Sequence, residues 1–149
     1  MTVTCARLVA MLAAALALSI GAGAAGPQAA PAAPRSAWSG VFNQEQVERG
    51  KTAFNAQCAR CHGETLGGGE NSPPLVDDPF FAFWNGKSVG ELVEYTRTKM
   101  PSDGPGTISR KKCIDMAAYL LSANGFPAGT EELPLELEAL NEIAITRTK

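Results

Sequence analysis

The stretch Asn55-Ala56-Gln57-Cys58-Ala59-Arg60-Cys61-His62-Gly63 decides how this chain is read. Two thiols stand three positions apart, an imidazole follows the second directly, and His62 is the only histidine of the 149 residues. A structural zinc site needs four ligands, usually supplied as two pairs. Here the second pair is missing, and Cys113 would have to be improvised into the set. A thioredoxin-like dithiol opens a helix after a strand, where the helix dipole lowers the thiol pKa. Here the pair follows a helical pattern instead.

The third chemistry available to C-x-x-C-H is covalent attachment of haem. Thiols at this spacing can each add to one of the two vinyl groups of a single porphyrin. The imidazole next to the second thiol is then forced over the iron. The expectation is one haem c held by Cys58 and Cys61, with His62 as a metal ligand. With no second histidine, the candidates for the opposite side of the iron are Met100, Met116 and the lysines. Met116 falls mid-helix on an apolar stripe, where methionine is usually core filler. Met100 falls in a loop ahead of Pro101, which restrains the local backbone and suits a thioether presented to metal. Met100 is therefore the expected second ligand, with an open or lysine-ligated site as the alternatives.

Upstream of the motif a helix start is marked by Asn43 as N-cap. Gln46 stands at the capping-box position, and Phe42 is placed to staple onto Val47. Val47, Gly50, Lys51, Phe54 and Cys58 recur at three- and four-residue spacing, so a helix of about 15 residues runs into the motif. Downstream, Gly63 to Pro79 is rich in Gly, Pro, Asn and Asp and reads as a long loop wrapped on a cofactor. Ser88 and Glu91 form a capping box at the head of a helix ending near Lys99, with Leu92, Tyr95 and Thr96 on one face. A further helix spans about Ser109 to Ala123, with Cys113, Met116, Ala117 and Leu120 on one stripe and Gly125 as its C-cap. Cys113 reads as buried apolar filler. No period-two alternation of useful length appears, so strands should be minor.

At the N-terminus Arg7 precedes the apolar run Leu8 to Ile20 and the small residues Gly21 to Ala25, the layout of a secretory signal. The run is shorter than the roughly 20 residues that span a bilayer, so no transmembrane span is expected in the mature chain. Cleavage would discard Cys5 and Arg7, leaving three cysteines and a formal charge near −3. An odd cysteine count argues against a disulfide framework, and no basic stripe points to nucleic acid. With 45% apolar and 19% charged residues the chain has room for one core. The expected organisation is a signal peptide over 1–25 and a Pro/Ala-rich linker over 26–40. A helical domain follows over 41–127, then a tail over 128–149 that forms either a short surface helix or an irregular wrap.

The order Gly50, Phe54, Cys58, Cys61, His62, Gly63, then Pro73-Pro74-Leu75, Trp84, Lys99-Met100-Pro101 and Tyr119-Leu120, resembles the small class I cytochromes c of the bacterial periplasm. The resemblance covers about Asn43 to Pro127. It implies an all-α domain wrapped around one covalently bound haem, with the Gly50/Phe54 face packed on the C-terminal helix near Tyr119. It also implies that the Pro73 carbonyl accepts the His62 Nδ1 proton, that Leu75 and Trp84 line the haem, and that the Trp84 indole approaches a propionate. The function implied is a periplasmic one-electron carrier, not an enzyme, working by outer-sphere transfer through a His/Met-ligated iron. The alternative is a catalytic or gas-sensing haem with an open sixth position. Tyr119 to Thr130 is similar to cytochromes serving quinoprotein dehydrogenases, so a periplasmic dehydrogenase is the expected donor and a downstream cytochrome or oxidase the acceptor. A tail that docks a dehydrogenase subunit would make deletion of Glu131 to Lys149 weaken association without altering the spectrum.

Overall fold

The computed structural model describes residues 35–149. The expected leader over 1–25, and residues 26–34 of the expected linker, lie outside the described residues. Six helices carry the described chain: α1 (Gln44–Gln57), α2 (Ala59–His62), α3 (Asp77–Trp84), α4 (Val89–Lys99), α5 (Arg110–Ala123) and α6 (Leu137–Asn141). Two short strands, β1 (Arg35–Ser36) and β2 (Ile143–Ala144), pair in parallel. The all-α expectation holds.

Helix α1 begins where its cap directs, with Asn43 Oδ1 accepting from the Gln46 N–H at 2.9 Å. The reciprocal half of the expected capping box is absent. Gln46 is 1% exposed and turns its amide inward, donating to Asp115 and accepting from the Leu133 N–H at 2.8 Å. A buried amide with two interior partners gains more than one reaching back to a solvated helix end. Phe42 and Val47 are both buried, as a staple requires.

The face of α1 that carries Gly50 lies against α5. A methyl group at Gly50 would stand 1.9 Å from the Asp115 carbonyl oxygen, so only hydrogen fits between the two backbones. The Phe54 and Tyr119 rings meet at 5.6 Å in the same crossing, as the resemblance implied. Helix α5 is apolar beyond its expected stripe, with Ile114, Ala118 and Leu121 buried as well as Cys113, Met116, Ala117 and Leu120. It is the central element, packed by α1 and α4. It closes by two bonds, Gly125 N–H to Ser122 O and Phe126 N–H to Leu121 O, which satisfy carbonyls left free by the last turn.

Two expectations are corrected. Gly63 to Pro79 is not loop throughout, because α3 starts at Asp77 and runs to Trp84. The second is the linker up to residue 40; of the two forms expected for 128–149, a short surface helix or an irregular wrap, the chain wraps the core and carries α6 within the wrap. Leu133, Leu140, Ile143 and Ile145 are 0–2% exposed, and Ala37 is fully buried. Strand β1 pairs with β2, the Trp38 indole donates to the Thr146 carbonyl at 2.9 Å, and Trp38 stacks on Phe126 at 4.4 Å. Gly86 and Lys87 in the α3–α4 turn exchange backbone bonds with Ile145. Both flanks therefore belong to the core, which buries apolar side chains the helices alone leave uncovered.

Candidate haem site

The C-x-x-C-H segment is a tight turn of helix. Cys58 closes α1 by donating its N–H to the Phe54 carbonyl, and its own carbonyl accepts from the Cys61 and His62 N–H groups. Helix α2 thus presents Cys58, Cys61 and His62 to one cavity of about 510 Å³. That volume lies within the range of cofactor-sized ligands. Cys58, Cys61, His62, Pro73, Leu75, Trp84 and Met100 all line it. Every site residue read from the sequence therefore faces one space. Phe80, Leu92, Met116 and Leu120 complete apolar walls.

His62 is 9% exposed and its Nδ1 lies 3.0 Å from the Pro73 carbonyl. A carbonyl can only accept, so Nδ1 carries the proton and Nε2 keeps its lone pair for a metal. The loop is built to deliver that carbonyl. Gly68 donates to the His62 carbonyl at 2.9 Å, and Leu75 donates to the Leu66 carbonyl at 2.8 Å. Gly68 has φ +81°, and a side chain there would meet the Pro73–Pro74 backbone within 3 Å. Asn124, past the end of α5, anchors the far side. Its amide donates to the Leu75 carbonyl at 3.0 Å, and its oxygen accepts from the Asp77 N–H.

The Cys58 and Cys113 thiols are held in apolar surroundings. Burial, with a smaller contribution from Cys113 and Cys61, pushes the Cys58 thiol up to about 11, the opposite of the lowering a reactive dithiol requires. The Cys58 sulfur lies 3.7 Å from the Met116 sulfur. Met116 is thus core filler that also touches the site. Cys113 is fully buried on α5, where burial pushes its thiol up to about 11. Among the described residues no three His, Cys, Asp or Glu side chains gather as a metal site, which leaves the zinc reading without its ligands. A cavity walled by apolar side chains, with two thiols and one imidazole of defined tautomer, fits haem c.

Sequence reasoning missed the wall formed by α3. Phe80, Phe83 and Trp84 recur at helical spacing, and Asp77-Asp78-Pro79 is a first-turn signature of acids and proline. Either pattern could have revealed the helix. Tyr95 and Thr96 on α4 also line the cavity, with Trp84 and Tyr95 edge to face at 5.6 Å.

Residues 45–120, just over half of the chain, match the family model described as cytochrome C oxidase, cbb3-type, subunit III. No curated protein matches the sequence. Among solved structures, the sulfane dehydrogenase SoxCD from Paracoccus pantotrophus is similar over 72% of this chain at 22% identity and TM-score 0.48. This chain spans 61% of the length of that one. With the family match added to a helical fold built around the C-x-x-C-H turn, the chain belongs to the cbb3-type subunit III family of cytochromes, and is a class I c-type cytochrome carrying covalently bound haem c.

Proposed function

We propose that this electron-transfer cytochrome is a periplasmic carrier of single electrons in which His62 and Met100 would hold the haem iron. Haem c supplies one iron that takes up and gives up an electron without substrate binding to it. Cys58 and Cys61 hold the ring in place. His62, with its proton kept on Nδ1 by Pro73, would offer the Nε2 lone pair to the iron. The side chains of Leu75, Phe80, Leu92 and Leu120 exclude water, which raises the cost of charge at the centre and favours the reduced state. Trp84 would donate its indole N–H to a propionate.

The observation that carries the Met100 assignment is that Met100 and His62 line the same cavity. Met100 also follows directly on α4, its N–H donating to the Thr96 carbonyl at 3.1 Å. A filled coordination sphere leaves outer-sphere transfer as the reaction. The arginine-led apolar leader supports export. A quinoprotein or other periplasmic dehydrogenase is the proposed donor, and a downstream cytochrome or an oxidase the acceptor. The oxidase fits the description of the family.

Met100→Ala tests the ligand. The oxidised variant should lose its iron–sulfur charge-transfer band. Its potential should fall by a measurable part of the roughly 0.8 V that axial ligands span, and the reduced form should bind carbon monoxide rapidly. An unchanged spectrum and potential would reject Met100.

A further inference from the structure

The loop that carries Met100 has few ties to the rest of the molecule. Gly104 donates to the Pro101 carbonyl and Thr107 donates to the Gly104 carbonyl, bonds that stay inside the loop. Among the described residues, one polar contact links residues 101–107 to another segment. It joins Asp103 to Arg60, 43 positions away and in direct hydrogen-bond contact. Arg60 sits on α2 between the two haem-binding cysteines, and both Arg60 and Asp103 line the rim of the same cavity as His62 and Met100. The contact therefore bridges the turn that supplies one axial ligand and the loop assigned the other.

We propose that the Arg60–Asp103 ion pair is a clasp that positions the Met100 loop and sets how readily the sixth ligand leaves the iron. The clasp rests on the Met100 reading and extends it. Arg60 and Asp103 are positioning residues, acting on the iron only through the loop. Each charge is stabilised chiefly by its hydrogen bond to the other, which holds the Asp103 carboxyl below the usual carboxylate range. Their side chains are 75% and 62% exposed, so solvent and salt screen the attraction and its effect is small and adjustable. A weak, screened clasp suits a ligand loop that must stay closed yet respond to a charged surface docking beside the rim. An incoming carboxylate or cation could compete for either partner.

The test is imidazole titration of the oxidised holoprotein, followed by loss of the iron–sulfur band. Arg60→Gln and Asp103→Asn should each raise the apparent affinity for imidazole about two- to five-fold at low salt. The exchange variant, Arg60→Asp with Asp103→Arg, should return most of the way to wild type. Raising ionic strength to about 0.5 M should shrink the gap between wild type and the single variants. A mere packing role would not restore the affinity on exchange or respond to salt. Should wild type show the band while both single variants bind imidazole with unchanged affinity, or should exchange fail to restore it, the clasp is wrong and the Met100 ligation stands. Absence of the band in the wild-type protein itself would overturn both.

Discussion

Several side chains carry more than one obligation, and the local environment decides which prevails. Gln46 has the sequence position of a capping-box partner, yet it bridges Asp115 and the Leu133 backbone in the interior. Asp115 is itself only 6% exposed. It survives there because Arg49 at 3.2 Å and Lys111 at 3.3 Å supply the charge its burial demands. Glu94 shows the same logic at a half-buried position. Its hydrogen bond to Arg97 holds the carboxyl below the usual range, helped by the charge of Arg97 and by Arg110 at 3.3 Å on α5. A carboxylate with a lowered native pKa stabilises the fold above its ordinary pKa, and that contribution fades as pH falls through the native value. Glu94→Gln should therefore lower stability by about 0.5 kcal/mol at neutral pH, the size of a solvent-screened pair. The difference from wild type should vanish by strongly acidic pH. Thermal unfolding of both proteins across that range measures it.

Among the elements, the crossing of α1 and α5 is the joint on which the site depends, because α1 ends at Cys58 and α5 contributes Met116 and Leu120 to the cavity wall. The helices meet backbone to backbone at Gly50, where a methyl group would overlap the Asp115 carbonyl. Gly50→Ala must push the helices apart, against the gain in helix propensity an alanine normally brings. Overpacking should prevail and cost about 1–3 kcal/mol, read as a lower denaturant midpoint of the holoprotein. A midpoint equal to or above that of wild type would mean that the helices do not approach so closely. Helix α3 is the complementary case. Its aromatic residues form a wall of the cavity, and its N-terminus is tied to α5 by Asn124.

For the molecule as a whole, the flanks complete a small core and do not hang from it. Residues beyond 127 place Leu133, Leu140, Ile143 and Ile145 in the interior, and the polypeptide before α1 returns to pair with β2 and to cover Phe126 with Trp38. A tail that served only to dock a partner could be removed without harm. This one cannot. Leu140→Ala, at a fully buried position, should cost about 2–5 kcal/mol through lost burial and the cavity left behind. Deleting Glu131 to Lys149 should abolish cooperative unfolding at ordinary temperature. Denaturant titration of both variants checks this, and a truncated protein as stable as the full chain would return the segment to the role of appendage.

The chemistry of the site is legible in the amino-acid order alone. Two cysteines and one histidine at this spacing suit haem attachment, and the missing second ligand pair and the helical pattern ahead of Cys58 set aside zinc and a reactive dithiol. The same order also determined the three longer helices, because capping at Asn43 and Ser88 and apolar periodicity on all three are local signals. The folded molecule set where Gln46 turns, that Phe80 and Trp84 of α3 line a cavity, and that Leu133, Leu140, Ile143 and Ile145 are core. These outcomes rest on contacts between residues far apart in the chain. A short segment such as α6, with its few apolar residues, acquires a buried face only when α4 is there to receive it.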